Sequence, residues 1–473
     1  MTRSQPLLAI LACTALTACN LVPPYQRPSM AIPASFKEAP GWQPASPADD
    51  KPRGDWWAGM KDPVLDDLER QVATRNQTVA GAIAAYDQAR AVVRESRSAL
   101  FPSLTGSLGV SSTGTVDGST VSTSTGTATG TRETASLGAT WQPDLFGGLR
   151  AGLAQSKATA AQQAAALGNV ILAAQGELAN DYVQLRGVDA QIDAYDATLT
   201  AYRRTLQITQ NRYNVGVAAR IDVLQAETTL RNAAAQATDL VRQRAIYEHA
   251  IAVLAGELPS SLSLAKTAWV PTVPVVPPVI PSALLERRPD VASAERAVIA
   301  ANAGIGVQRA AFFPNLSLTA GLDRNASSIG SLASLGASVW SLGLTGAMTL
   351  LDFGGRSAKV AQARAAYDQA VASYRQTVLT AFQQVEDGLS GTVVLEREIG
   401  DLKAASVAAD RVEQLTLNQY LGGIADYTTV VTAQATALTA RRALISGIVN
   451  QQLNAIALQQ AVGGGWDASA AVP

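Results

Sequence analysis

The stretch Arg97–Val110 reads RSALFPSLTGSLGV, and Arg309–Leu322 reads RAAFFPNLSLTAGL. Each is followed by the same motifs in the same order: DLFGGLR at 144–150 and YNVGVAARIDVLQAE at 213–227 after the first, LDFGGRS at 351–357 and YLGGIADYTTVVTAQ at 420–434 after the second. Phe101 therefore corresponds to Phe313, Gly147 to Gly354 and Tyr213 to Tyr420. A repeat this long points to a gene-scale duplication, so the architecture is read as one unit and then doubled.

Each unit opens on strands. Leu104, Gly106, Leu108 and Val110 alternate with Ser103, Thr105, Ser107 and Ser111, which is strand periodicity. Ala135, Leu137, Ala139 and Trp141 alternate with Ser136, Thr140 and Gln142 on the return, and a small, polar, solvated loop lies between. The second copy sets Leu316, Leu318, Ala320 and Leu322 against Asn315, Ser317 and Thr319. It then sets Trp340, Leu342, Leu344, Met348 and Leu350 against Ser341, Thr345 and Thr349. Runs of about ten residues match a tilted strand crossing a bilayer. Alternation alone also allows a soluble sheet buried on one face.

The remainder of each unit is helical. Gly147 to about Tyr213 and Gly355 to Tyr420 are free of proline and rich in Ala, Gln, Leu and Arg, residues that lose little on entering a helix. Each predicts a helix roughly 100 Å long at ~1.5 Å per residue. Two shorter predicted helices, near Leu65–Leu100 and Ile221–Leu258, stacked end to end would match that length. No leucine heptad is present, and Ala, Ser and Gly are spread over the faces, which suits helices packed sideways into a wall.

Composition sets outer limits. The net charge of −1 and the 16% charged residues give no basic patch for nucleic acid. No apolar run reaches the roughly twenty residues of a membrane helix, so a membrane crossing would be by strands. Residues 1–18 read as a signal peptide, with Arg3 and an apolar core ahead of Leu16, Thr17, Ala18 and Cys19, a bacterial lipobox whose Cys19 becomes lipidated, for example with palmitate. An ordinary secretory signal containing a cysteine is the alternative. Asn20 after the cysteine favours release to the outer membrane, where the lipid would anchor the chain without making it span. Residues 19–64 read as an extended N-terminal segment, with Asp62, Pro63 and Leu65 starting a helix whose dipole Asp66, Asp67 and Glu69 complement. The unit boundaries fall at 65–267 and 287–464, joined by a proline-rich linker at 268–286 and followed by a tail at 465–473.

No catalytic or cofactor chemistry emerges. His249 lies in a helical stretch without an identifiable partner, and Met1, Met30, Met60 and Met348 form no soft-metal cluster. Gly147, Gly148, Gly354 and Gly355 lack a following Lys-Ser/Thr and are explained by backbone freedom where strand turns to helix. The expectation is a protein that is not an enzyme and carries no cofactor.

The lipobox, the WW and DP-x-L residues at 56–65, the paired FP-x-L and FGG motifs, RRPD at 287–290 and the paired Tyr-x-x-Gly turns together resemble the TolC-type outer-membrane efflux proteins, in particular their lipidated branch of OprM and NodT type. The resemblance covers nearly the whole chain from Cys19 to about Gly464. It implies an α+β membrane protein: a homotrimer whose protomers each give four strands to a twelve-stranded barrel, continuing into a long periplasmic helical barrel. Four strands cannot close a barrel, open edges are not tolerated in lipid, and three copies leave room for a lumen where two would not. Ser, Thr and Gly would then face water, with Trp141 and Trp340 as membrane-interface aromatics. The resemblance further implies an outer-membrane export duct that works with a periplasmic adaptor and an inner-membrane pump, and with no nucleic acid. It places a gate at the helix-to-helix turns: Tyr213, Gly216, Arg220 and Asp222 in the first, Tyr420, Gly422, Gly423, Asp426 and Tyr427 in the second. Ala218 and Ala425 stand where the family's best-known turn has arginine, so ionic closure is either rearranged to Arg220, Asp222 and Asp426 or weaker. A type I protein-secretion conduit and a periplasmic helical scaffold without a pore are the alternatives.

Overall fold

The structure, a computed structural model, describes residues 21–31, 36–38, 55–113, 130–267, 269–274, 288–326 and 338–464. The signal peptide, Cys19, the loop after the first strand, most of the linker and the tail from 465 onward lie outside the described residues.

In chain order, a 3-10 turn at Trp56–Met60 precedes α1 (Pro63–Arg75), α2 (Gln77–Ser98), β1 (Ser103–Thr113), β2 (Gly130–Trp141), α3 (Gly148–Asn214) and α4 (Arg220–Leu254). There follow α5 (Pro289–Ala310), β3 (Asn315–Ala326), β4 (Ser338–Ala347), α6 (Gly355–Leu421) and α7 (Tyr427–Ala461). Helices α3 and α6 have 67 residues each, α4 and α7 35 each. None of the described helices is long and apolar enough to cross a membrane.

Chain contacts divide the protein into two units. The first combines Asp87–Gln162, Ala294–Tyr374 and the N-terminal segment up to Pro28. It holds one antiparallel sheet in the order β1-β2-β3-β4, so β1 and β4 are its edges. The register gathers apolar residues into rows: Gly106, Leu137, Leu322 and Trp340 in one, Leu104, Ala139, Ala320 and Leu342 in the next. The opposite face carries Thr105, Gly138, Gly321 and Ser341, then Ser107, Ser136 and Asp323, with Val339 as its apolar exception. Ser107 and Ser136 hydrogen-bond across this face at 2.6 Å. Among the described residues this apolar face is open along Leu108, Trp340 and Leu344, 83%, 77% and 68% exposed, while Glu133 and Arg324 interrupt it at one end and are buried. A sheet packed on its own chain's core would bury that face, and the described residues leave it open. The periodicity carried the last strand through Leu350, but β4 ends at Ala347 because residues 348–350 have no neighbouring strand in their own chain. Residues 21–28 run extended along α5, where Arg27 pairs with Glu295 at 2.7 Å and Asn302 donates to the Pro23 carbonyl at 2.8 Å.

The second unit, Ser29–Tyr86, Gln163–Ser293 and Arg375–Pro473, holds the main core. Trp56, Trp57, Leu65, Leu68 and Val72 pack on Leu178, Tyr182 and Leu185 of α3 and on Ile251, Val449 and Ile456. Asp62 caps α1, accepting from the Val64 and Leu65 amides, with Pro63 at the first helical position. Glu69 departs from the expectation of a dipole-complementing surface acid. Its side chain is fully buried, and burial together with the nearby Asp55 pushes its carboxyl up to about 9, so it is neutral at pH 7.

The single helix expected at Leu65–Leu100 is broken at Asn76, which adopts an extended conformation. Its Oδ1 accepts from the Thr78 and Val79 amides while its Nδ2 donates to the Leu254 carbonyl at the end of α4. One side chain thus caps the start of α2 and the end of α4, and the short helices meet end to end at this point. A buried ion network adds long-range ties: Asp189 takes Arg186 on one oxygen at 3.2 Å and Arg244 on the other at 2.7 Å. Leaving either arginine unpaired in this core would cost more than a surface pair contributes.

Candidate functional site

Both helix-to-helix turns are built the same way. Gly216 and Gly423 have φ of +80° and +74°, a left-handed geometry that favours glycine, and their amides close on the Tyr213 and Tyr420 carbonyls at 2.9 and 3.0 Å. Gly422 has no positive φ, so the freedom of glycine is required at Gly423 alone in the second turn.

The acidic residues take local roles. Asp426 caps α7: its Oδ1 accepts from the Thr429 amide at 2.9 Å and the Thr429 hydroxyl at 2.6 Å, and these bonds hold its carboxyl below the usual carboxylate range. Asp222 accepts from the Ala219 amide, at 3.3 Å, across the first turn of α4. In sequence register Ala219 corresponds to Asp426 and Asp222 to Thr429, so each turn keeps one half of a reciprocal capping box. Neither acid forms an ion pair with Arg220 within the chain.

The contact that joins the two turns was not singled out in the sequence. Arg212, one residue before Tyr213, donates from one Nη to the Tyr420 and Leu421 carbonyls at 3.2 and 3.1 Å. Its guanidinium lies 4.8 Å from the centre of the Tyr420 ring. Tyr420 in turn meets Tyr427 edge-on at 5.4 Å, and both are buried against Ala226 and Val430. The last carbonyls of a helix carry partial negative charge, so a guanidinium over the end of α6 is electrostatically favoured there. The corresponding residue in the other repeat is Gln419, and that asymmetry was the available signal. Tyr213 is 41% exposed, while Val215, Val217, Ile221 and Ile424 leave an apolar rim around the turns. Above the turns, Arg441 of α7 bridges Asp410 and Glu413 of α6, both at 2.8 Å.

At the other end of the long helices, Gly147 and Gly354 have φ of +79° and +94°, as strand-to-helix turns of this kind require. Gly148 and Gly355 do not, so backbone freedom does not account for them. Trp141 is 36% exposed and donates its indole N–H to the Leu100 carbonyl at 3.0 Å, whereas the Trp340 side chain stands free of the sheet. His249 is exposed on α4. Among the described residues, no group of three or more His, Cys, Asp or Glu is placed to hold a metal ion.

Comparison with known proteins gives this geometry its context. The toluene efflux pump outer membrane protein TtgC and the antibiotic efflux pump outer membrane protein ArpC, both of Pseudomonas putida, are each 30% identical over 473 residues, covering 98% of this chain and 96% of theirs. Among solved structures, the outer-membrane channel OprN superposes with a TM-score of 0.85 at 28% identity, over 95% of this chain and all of that one. The outer membrane efflux protein profile matches residues 68–257 and 280–464, and the chain belongs to that family.

Proposed function

We propose that the chain is the passive outer-membrane duct of a tripartite efflux system, in which three copies close a twelve-stranded barrel and continue it with a helical conduit. The observation that carries this reading is the sheet: one mainly apolar face that the described residues leave open, one polar face, and two edge strands. In lipid every backbone polar group must be paired, so β1 and β4 require partners, and a polar face needs water. The apolar rows, with Trp141 and Trp340, then meet hydrocarbon and the membrane interface, and the Ser, Thr and Gly rows line the bore. The internal duplication is supported by the matched helix lengths and by two separate matches to one family profile.

In this reading the turns at 213–222 and 420–427 form the periplasmic end, where an adaptor docks and an energised inner-membrane pump supplies the force. Arg212, Tyr420 and Tyr427 hold the two turns together, with Asp222 and Asp426 fixing the helix starts beside them. Cys19 adds a lipid anchor to the outer membrane. Selection belongs to the pump, since a bore of hydroxyls and glycines offers no recognition chemistry. TtgC and ArpC, equally similar to this chain, are named for toluene and for antibiotics.

Single-channel conductance of the purified full chain in a planar bilayer tests the duct. Discrete steps from verified trimers support it. Trimers that never conduct, in wild type and in turn variants alike, would overturn it in favour of a periplasmic scaffold.

A further inference from the structure

The contact between the two repeats inside one chain is a template for a contact between copies of the chain. Within the first unit, Phe146, just after β2, stacks on Phe313, just before β3, with ring centres 4.9 Å apart and planes at 17°. Beside them a Cβ on Gly148 would stand 2.8 Å from the Ala310 Cβ, closer than real Cβ atoms approach, so glycine is required there by its neighbour. The corresponding residues elsewhere are unmatched. Phe353, the counterpart of Phe146, is 93% exposed and held at φ +49°, an unusual conformation for a large side chain with nothing against it. Phe101, the counterpart of Phe313, is 60% exposed. Gly355, the counterpart of Gly148, has no atom near its missing Cβ except its own turn residue Asp352, so its chain gives no reason for a glycine there.

We propose that Phe353 of one protomer stacks on Phe101 of the partner subunit, with Gly355 seated against Ser98 of the partner subunit, and that this lock sets the register in which β4 pairs with β1 of the partner subunit. The proposal rests on the trimeric reading above and adds its residue-level interface. The register follows from correspondence. Ser103 pairs with Thr140 in the first hairpin, and the counterparts Asn315 and Ala347 pair in the second, so the motif spacings carry one hairpin onto the other without slippage. The same spacings carry the inter-repeat pair Leu137 and Leu322 onto Leu344 and Val110 of the partner subunit. They carry Ala139 and Ala320 onto Gly346 and Leu108 of the partner subunit. A one-residue slip would put polar residues on the apolar face, whereas this register sets Leu344 and Gly346 beside Val110 and Leu108 of the partner subunit, and the Leu342 row ends on Ser112 of the partner subunit. It also extends pairing to Met348, opposite Gly106 of the partner subunit, and so gives the exposed residues after β4 a neighbour.

The test is cysteine cross-linking of the full chain in outer-membrane vesicles, with oligomeric state read separately by native mass spectrometry. Leu344→Cys with Val110→Cys in one chain is compared with each single variant and with the slipped pair Leu342→Cys and Val110→Cys. The expected result is oxidation of the first double variant to covalent trimer, at least tenfold above the slipped pair and the singles. Phe101→Ala and Phe353→Ala should each lower the dissociation temperature of the trimer, with the double variant no worse than the more severe single. Trimers that cross-link best through the slipped pair, or alanine effects that simply add, overturn the lock and leave the duct intact. Absence of any trimer overturns the lock together with the proposed function.

Discussion

Replacing Arg212 with alanine tests whether the clamp between the turns holds the conduit closed. The substitution removes a guanidinium that bridges the last carbonyls of α6, at 3.2 and 3.1 Å, and faces the Tyr420 ring at 4.8 Å. The two long bonds from one Nη to the two carbonyls are together taken at about 1.5 kcal/mol, the lower end for a charged donor. The ring contact adds about 0.5 kcal/mol at a partly solvated site. The sum, about 2 kcal/mol, corresponds to a shift of roughly thirtyfold in the ratio of closed to open turns. Arg212→Lys keeps the charge but loses the planar fork, and should fall between the two. Single-channel recording gives the readout: Arg212→Ala raises the open fraction and the mean step, Arg212→Lys raises them less, and thermal unfolding of the trimer shows that both variants remain assembled. An Arg212→Ala trimer with wild-type melting and a wild-type open fraction would refute the reasoning, because it would mean that the guanidinium adds nothing to the hold of one turn on the other.

Three further outcomes follow from particular contacts. Asp426→Ala should lower the thermal stability more than Asp222→Ala, because Asp426 accepts two short bonds at the start of α7 and Asp222 one long one at the start of α4, and the ranking is read by thermal unfolding. Glu69→Gln should stabilise the protein at neutral pH. The folded-state pKa of about 9 lies above the unfolded value of 4.5, so the native state is favoured below 4.5 and loses ground as pH rises toward 9. At ~1.4 kcal/mol per unit the handicap at pH 7 is on the order of 3 kcal/mol, and the variant should melt higher at pH 7 and show a flatter melting profile from pH 5 to 9. Gly256→Ala should destabilise by about 2 kcal/mol or more in denaturant unfolding, because the residue sits at φ +75° with the Arg75 carbonyl oxygen 2.4 Å from the position of an added Cβ.

Much of the fold was legible because its signals are periodic. Strand alternation at Leu104–Val110 and Leu316–Leu322 places every apolar side chain on one face, and a period of two admits no other sheet. The long helices were legible because 67 residues without proline leave no other regular structure. The break at Asn76 was not, since Arg75, Asn76 and Gln77 interrupt the helix without proline or glycine, and the deciding contact is with Leu254, far away in sequence. Glu69 reads with Asp66 and Asp67 as one more acid at a helix start, and only the tertiary core decides that it is the fully buried one of the three.

Turns join α3 to α4 and α6 to α7, and the chemistry proposed for them was not resolvable in the sequence. Charged residues near a helix start serve either as caps or as partners in an ion pair, and composition does not distinguish the two. The repeat itself does. If Asp222 and Asp426 were ion-pair partners in equivalent turns, they would be expected at equivalent positions, yet one sits at the cap and the other three residues in. Each compensates for what the other turn lacks, which is the constraint a helix start imposes and an ion pair does not. In the proposed duct, closure then falls to Arg212, which crosses from the first turn to the second, and to the Tyr420–Tyr427 pair within the second, and these differ between the repeats. In the proposed trimer a clamp present once per protomer gives three such contacts rather than six, each holding the two turns of its own protomer together and each to be displaced separately.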